Sequence, residues 1–137
     1  VTVEAEAQPA DTPDTPFHRI GGAPVFAAIC NRFYDLMEQD PAYAELRAMH
    51  APDLAPMRAA LPKFLGGWAG GPRDWFEANP GRCMMSVHKS FAIDQAVAGQ
   101  WAEAMRRAFA DVAPEPADLA AAIGDILADL ARGMGRE

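Results

Sequence analysis

The sequence predicts an all-α domain, on three observations. Apolar residues recur at intervals of three and four from Phe17 to Met134. No segment sustains the strict alternation of a half-buried strand. Clusters of proline and glycine cut the periodic stretch into four long pieces.

Residues 1–16, "VTVEAEAQPADTPDTP", hold three prolines, four carboxylates and no cation. Such a segment buries too little to offset its ordering entropy, so it is expected to be a disordered extension, with the domain spanning 17–137. After the breaker Gly21-Gly22, residues Phe26, Ile29, Phe33 and Met37 predict the first long helix. Leu54, Met57, Leu61, Phe64, Leu65 and Trp68 predict a second, with Asp53 as its N-cap and Gly66-Gly67 and Gly70-Gly71-Pro72 as its stop. Pro62 falls inside it, removes a backbone donor and should kink it. Asp94 is placed to cap a third helix, with Val97, Trp101, Met105, Phe109 and Val112 inward. Past Pro114 and Pro116, a fourth is expected to bury Leu119, Ile123, Ile126, Leu127, Leu130 and Met134. Short pieces are expected at 17–20, 41–48 and 82–90.

A chain of 137 residues is one domain by length and buries enough surface to fold without staples. Its net charge is −7, and no basic run exceeds Arg106-Arg107. That argues against nucleic acid and against an anionic membrane surface. No apolar stretch is long enough to span a bilayer and no signal peptide is visible, so a cytoplasmic protein is expected. Cys30 and Cys83 are 53 residues apart, which is neither a disulfide framework nor a CxxC metal pattern; free thiols are expected.

The chemistry-bearing candidates are few. His88 sits between "CMMSV" and "KSFAI" with no second ligand at helical spacing, so a multi-histidine zinc site is not indicated. One histidine is enough for haem, whose iron already has four porphyrin nitrogens. Read singly, His88 is an ordinary partner of a backbone carbonyl, and Tyr34 and Trp101 are core aromatics. Together they are the parts of a ligand site, because buried tyrosine and tryptophan need a partner for O–H and N–H.

Five stretches occur together in order: "RFYDLM" at 32–37, "LRAMHAPDLA" at 46–55, "FLGGWAGGPRDW" at 64–75, "HKSFAI" at 88–93 and "QWAEAM" at 100–105. In these the chain resembles the truncated haemoglobins, group II, over about residues 20–112. The resemblance implies a truncated globin, a two-over-two α-helical sandwich around haem b, with iron as the metal. It implies His88 as the proximal iron ligand, Tyr34 and Trp101 in the distal pocket, and His50 near the haem edge. Met57 falls at a distal position, and Leu61, Phe64, Phe91 and Met105 would pack against the porphyrin. Val87 stands where the family often carries a basic residue, which leaves Lys89, Arg82 and Arg73 for the propionates.

The implied ligands are dioxygen, nitric oxide, carbon monoxide or peroxide. Two hydrogen-bond donors over one ligand favour chemistry on it over simple carriage. The activities that fit are nitric-oxide dioxygenation, with a reductase as partner, and peroxidase-like turnover with His50 as acid–base group. The alternatives are oxygen transport, storage or sensing without turnover, and a haem-free helical interaction module. A monomer or homodimer is expected.

Overall fold

The computed structural model describes residues 15–80 and 93–134, all of them helix, turn or loop with no strand among them. The N-terminal extension as far as residue 14 and the short piece expected at 82–90 lie outside the described residues.

Seven helices are described. They are α1 (Pro16–Arg19), α2 (Ala23–Gln39), α3 (Ala44–Ala48), α4 (Ala55–Trp68), α5 (Asp74–Ala78), α6 (Gln95–Val112) and α7 (Ala117–Gly133), with a 3-10 turn at Pro41–Tyr43. Helix α2 packs against α4, α6 packs against α7, and α2 lies on α6, so two helix pairs form two layers. The expected stripe on α2 is realised: Phe26, Ile29, Phe33 and Met37 are all buried.

The caps differ in detail from the sequence reading. Asp94 caps α6 as expected, its carboxylate accepting from the Val97 amide at 2.9 Å. Leu54, not Asp53, is the N-cap of α4, while the Asp53 side chain accepts from the Ala55 amide one step further out. Helix α4 runs six residues past Pro62, and it runs through Gly66 and Gly67 as well. It ends at Gly70, whose φ of +102° suits only glycine comfortably. There the Gly71 amide bonds the Gly66 carbonyl at 2.8 Å and the Gly70 amide bonds Gly67 at 3.1 Å, the paired closure of a Schellman motif.

The other glycines serve contact. A Cβ on Gly71 would lie 2.6 Å from the Phe17 ring, and one on Gly66 2.9 Å from it. Phe17 therefore sits in a cradle without side chains, stacks on Phe26 at 5.6 Å and bonds the Ala69 carbonyl through its amide.

Helix α7 corrects the sequence reading. Its buried face is Ala120, Ile123, Gly124, Leu127, Ala128 and Ala131. Ile126 and Leu130 are exposed. The realised face follows i, i+3, i+4, i+7 and is built largely of small residues, which let α7 lie close on α6.

The end of α2 is tied to α6 by charge. Arg107 Nη1 donates to Asp40 Oδ2 at 2.8 Å and to the Tyr43 hydroxyl at 3.1 Å, while Asp40 Oδ1 accepts from the Ala42 amide. The Arg107 guanidinium, with help from that amide, holds the Asp40 carboxyl below its ordinary range.

Two outcomes follow for stability. Gly71→Ala should destabilise by roughly 1–3 kcal/mol through overpacking on Phe17. Gly99→Ala, inside α6 where a Cβ meets nothing within 4 Å, should stabilise by about 0.5–1 kcal/mol. Urea titration of both variants reads the opposite signs. A lowered native carboxyl contributes stability above its unfolded pKa and loses it as pH falls through the native value. Asp40→Asn should therefore flatten the part of the acid-unfolding curve that lies below the ordinary aspartate range, and leave the curve above it parallel to that of the parent.

Candidate functional site

Between the two helix pairs lies a cavity of about 450 Å³, within the range of small-molecule and cofactor pockets. Helix α4 supplies Met57, Ala60, Leu61, Phe64 and Leu65, and α6 supplies Val97, Ala98 and Trp101. Tyr34 enters from α2, and Leu46, Met49 and His50 from α3 and the turn after it. Ala51, Trp75, Ile93, Ala131 and Met134 complete the described walls. The lining is mostly hydrocarbon and aromatic, and three of its side chains carry polar atoms: Tyr34, Trp101 and His50.

Tyr34 follows Phe33 on α2, and the two take different tasks. Phe33 is fully buried and meets Trp101 edge-on at 5.2 Å, which seats the indole between the helices. Tyr34 is 1% exposed, yet no described residue hydrogen-bonds its hydroxyl. The Trp101 N–H likewise has no bond to a described residue. Burial pushes the Tyr34 phenol well above its ordinary pKa, the nearby Cys30 sulfur adds to this, and Arg58 acts against it. The side chain is therefore a neutral O–H donor over the whole physiological range.

His50 is held from two sides. Its Nδ1–H donates to the Leu46 carbonyl at 2.9 Å, which in a neutral ring makes Nε2 the acceptor. Its ring meets Tyr34 edge-on at 6.0 Å. The segment carrying it is fixed by Gln100, next to Trp101: Gln100 accepts from the Leu46 amide at 3.1 Å and donates to Glu45 at 2.8 Å. Arg47 bonds the carbonyls of Ala51 and Pro52 just after it.

Of the residues singled out from sequence, Tyr34, His50, Met57, Leu61, Phe64 and Trp101 border one cavity. Met105 does not. It is fully buried in the main core, one turn beyond Trp101, where α6 already faces α2. His88 and Phe91 lie outside the described residues; Ile93, five residues after His88 in the chain, is a wall residue. Arg73 bonds the Gly67 carbonyl at 3.1 Å and lies over the Phe76 ring at 4.2 Å. Lys89 and Arg82 are outside the described residues.

Sequence reasoning missed several wall residues. Trp75 borders the cavity and meets Phe64 at 4.9 Å. Leu46 precedes Met49 by three residues and His50 by four, a helical spacing that was available as a signal. Met134 was expected in the core of the last helix and instead lines the cavity. Cys30, one turn before Tyr34, is fully buried, and burial raises its thiol to about 12, so it is unreactive at neutral pH.

The walls fit a flat apolar cofactor with a polar ligand on one side. Apolar surface surrounds the space, and neither the half-buried Trp101 nor the fully buried Tyr34 in its walls bonds a described residue, which for a buried hydroxyl is uncommon.

The comparisons with known proteins agree. A family model described as bacterial-like globin matches residues 15–135. A cold-adapted truncated haemoglobin from the Antarctic marine bacterium Pseudoalteromonas haloplanktis is 31% identical with a TM-score of 0.84, covering 90% of this chain and 99% of that one. The group II 2-on-2 haemoglobin of Agrobacterium tumefaciens is 31% identical, with a TM-score of 0.83 and coverage of 89% and 94%. A thermostable haemoglobin from Thermobifida fusca is 28% identical, with a TM-score of 0.78 and coverage of 89% and 97%. Two layers of paired helices around one apolar cavity, matched along nearly its whole described length, make this chain a member of the bacterial-like globin family with the two-over-two fold of the group II truncated haemoglobins.

Proposed function

We propose that the cavity holds haem b with His88 as the iron's protein ligand, and that the protein carries out redox chemistry on dioxygen with nitric oxide, or on peroxide. Membership in a globin family implies haem and a small gaseous ligand. The finer reading rests on one observation: Tyr34 and Trp101 both line the cavity, and neither the hydroxyl nor the indole N–H has a hydrogen bond to a described residue. Haem would supply an iron centre with one coordination position open to a diatomic ligand or peroxide.

The chain's own residues do the rest. Leu61, Phe64 and Val97 exclude water and raise the strength of every polar contact inside. Tyr34 and Trp101 donate to a ligand atom that bears partial negative charge. A hydrogen bond to such an acceptor is worth about 1.5–3 kcal/mol. Two of them slow ligand release too far for a carrier that must load and unload. This favours turnover over transport: nitric oxide and dioxygen converted to nitrate, with the electron for each cycle coming from an external reductase. For peroxide, His50 Nε2 is the acceptor that would take a proton from the incoming molecule and return it to the departing oxygen. Among the described residues no helix is long and apolar enough to cross a membrane, and we assign the protein to the cytoplasm.

Three measurements test this reading. The purified protein titrated with haemin should develop a stoichiometric Soret band that shifts on reduction and carbon monoxide binding. His88→Ala should lose or broaden it; a Soret band unaltered in that variant would remove His88 as ligand. Stopped-flow dioxygen release should quicken roughly 10–100-fold in Tyr34→Phe and in Trp101→Phe, the loss of one charge-assisted bond each. His50→Ala should slow peroxide turnover while leaving dioxygen release close to wild type; unchanged peroxide turnover would remove the acid–base role.

A further inference from the structure

Arg58 stands one residue after Met57 on α4 and is not a cavity wall, yet it touches the residue that supplies the hydroxyl. Its guanidinium carbon lies over the Tyr34 ring, 5.8 Å from the centroid. The group is held from several directions by α2. Nη1 donates to the Asn31 carbonyl at 3.1 Å and to Asn31 Oδ1 at 3.2 Å. Nη2 donates to Asp35 Oδ1 at 2.9 Å and to Glu38 Oε1 at 3.2 Å. Glu38 is shared with Arg47 at 3.7 Å. A planar fork held at that many points has little freedom to leave the ring.

The surroundings of Tyr34 make this contact consequential. The ring meets Phe33 edge-on at 5.0 Å and His50 edge-on at 6.0 Å, and Cys30 lies one helical turn before it. Burial and the Cys30 sulfur both hold the phenol in its neutral form. Arg58 is the opposing influence, and of the quartet Arg47, Glu38, Arg58 and Asp35 it is the member whose charge bears on the hydroxyl. A cation over the face of a phenol draws electron density from the ring and makes the O–H a stronger donor.

We infer that Arg58 is a positioning residue that sets the donor strength of the Tyr34 hydroxyl toward a ligand in the cavity, through a positive charge fixed over the ring by Asn31, Asp35 and Glu38. The inference rests on the proposed role of Tyr34 as donor and goes beyond it. It makes the grip on the ligand adjustable from outside the cavity, by a residue that never meets the ligand.

The competing role for Arg58 is mechanical, as a strap between α2 and α4. The two roles separate in a double-mutant cycle on the carbon monoxide and dioxygen forms of the haemin-loaded protein. Arg58→Met should quicken dioxygen release about three- to tenfold, a part of what losing the whole Tyr34 hydrogen bond would give. It should also raise the carbon monoxide stretching frequency part of the way to the Tyr34→Phe value. Arg58→Lys, which keeps the charge without the fork, should restore most of both. In the Tyr34→Phe background Arg58→Met should change neither.

An equal effect of Arg58→Met with and without the Tyr34 hydroxyl would overturn the inference in favour of the strap. So would an Arg58→Lys variant as fast as Arg58→Met, or a wild-type rate in Arg58→Met. Tyr34→Phe behaving as wild type, or a protein that takes up no haemin, would instead overturn the donor reading and this inference with it.

Discussion

Two adjacent side chains on α2 carry the architecture. Phe33 and Tyr34 are separated by one residue step, about 100° around the helix, and both are buried. Phe33 must fill the junction with α6, where it seats Trp101; Tyr34 must reach the cavity beside it. Both demands are met only if α2 is flanked on two sides, by α6 in the other layer and by α4 in its own. The cavity is the space this arrangement leaves between α2, α4 and α6. The ties that fix α2 therefore fix the site: Arg107 to Asp40 at its C-terminal end, Arg58 to Asp35 and Glu38 along its side, and Arg32 to Asp111 at 2.7 Å across to α6. All are partly exposed, so each contributes modestly to stability. Their effect is to choose one register of α2 against its neighbours.

The parts of the fold that depend on large apolar side chains at helical spacing were legible in the sequence. Phe26, Ile29, Phe33 and Met37 define α2 unaided, and Asp94 marks the start of α6. What was not legible depends on distance of approach. Ile126 and Leu130 outweigh Ala120, Ala128 and Ala131 on any reading by hydrophobicity, yet the alanines face α6, and Ala102, Ala128 and Ala131 pack together beside Trp101. Small residues are chosen there because the helices are close, and closeness is a tertiary fact. Gly66 and Gly67 read as a helix stop for the same reason. They are contact surfaces inside the helix, for Phe17 and Phe76, and only the left-handed Gly70 ends it.

The site shows the same division. Tyr34 and Trp101 were visible as aromatic polar groups at helical spacing, and all three, His50 included, because their stretches resemble a family in order. Met105 shares the face of Trp101, so a helical projection cannot separate them. One turn of rise, about 5.4 Å, carries it from the cavity into the core. Trp75 was hidden by the reverse effect. It lies in a short helix with no apolar period of its own and is brought to the cavity by its contact with Phe64.

The energetics of Tyr34 tie the fold to the function. A hydroxyl taken out of water without a partner costs about 1–3 kcal/mol, a sizeable fraction of the stability of a domain this small. A phenylalanine would fill the same space at no such cost, and the same sequence already uses phenylalanine one position earlier. Burial keeps this group neutral, while Arg58, held by four hydrogen bonds, lies over its ring and His50, held by the Leu46 carbonyl, meets its edge. Stability alone does not account for a buried hydroxyl that no described residue bonds. Under the proposed function, a ligand that accepts the bond returns the cost of burial as it binds and converts it into affinity.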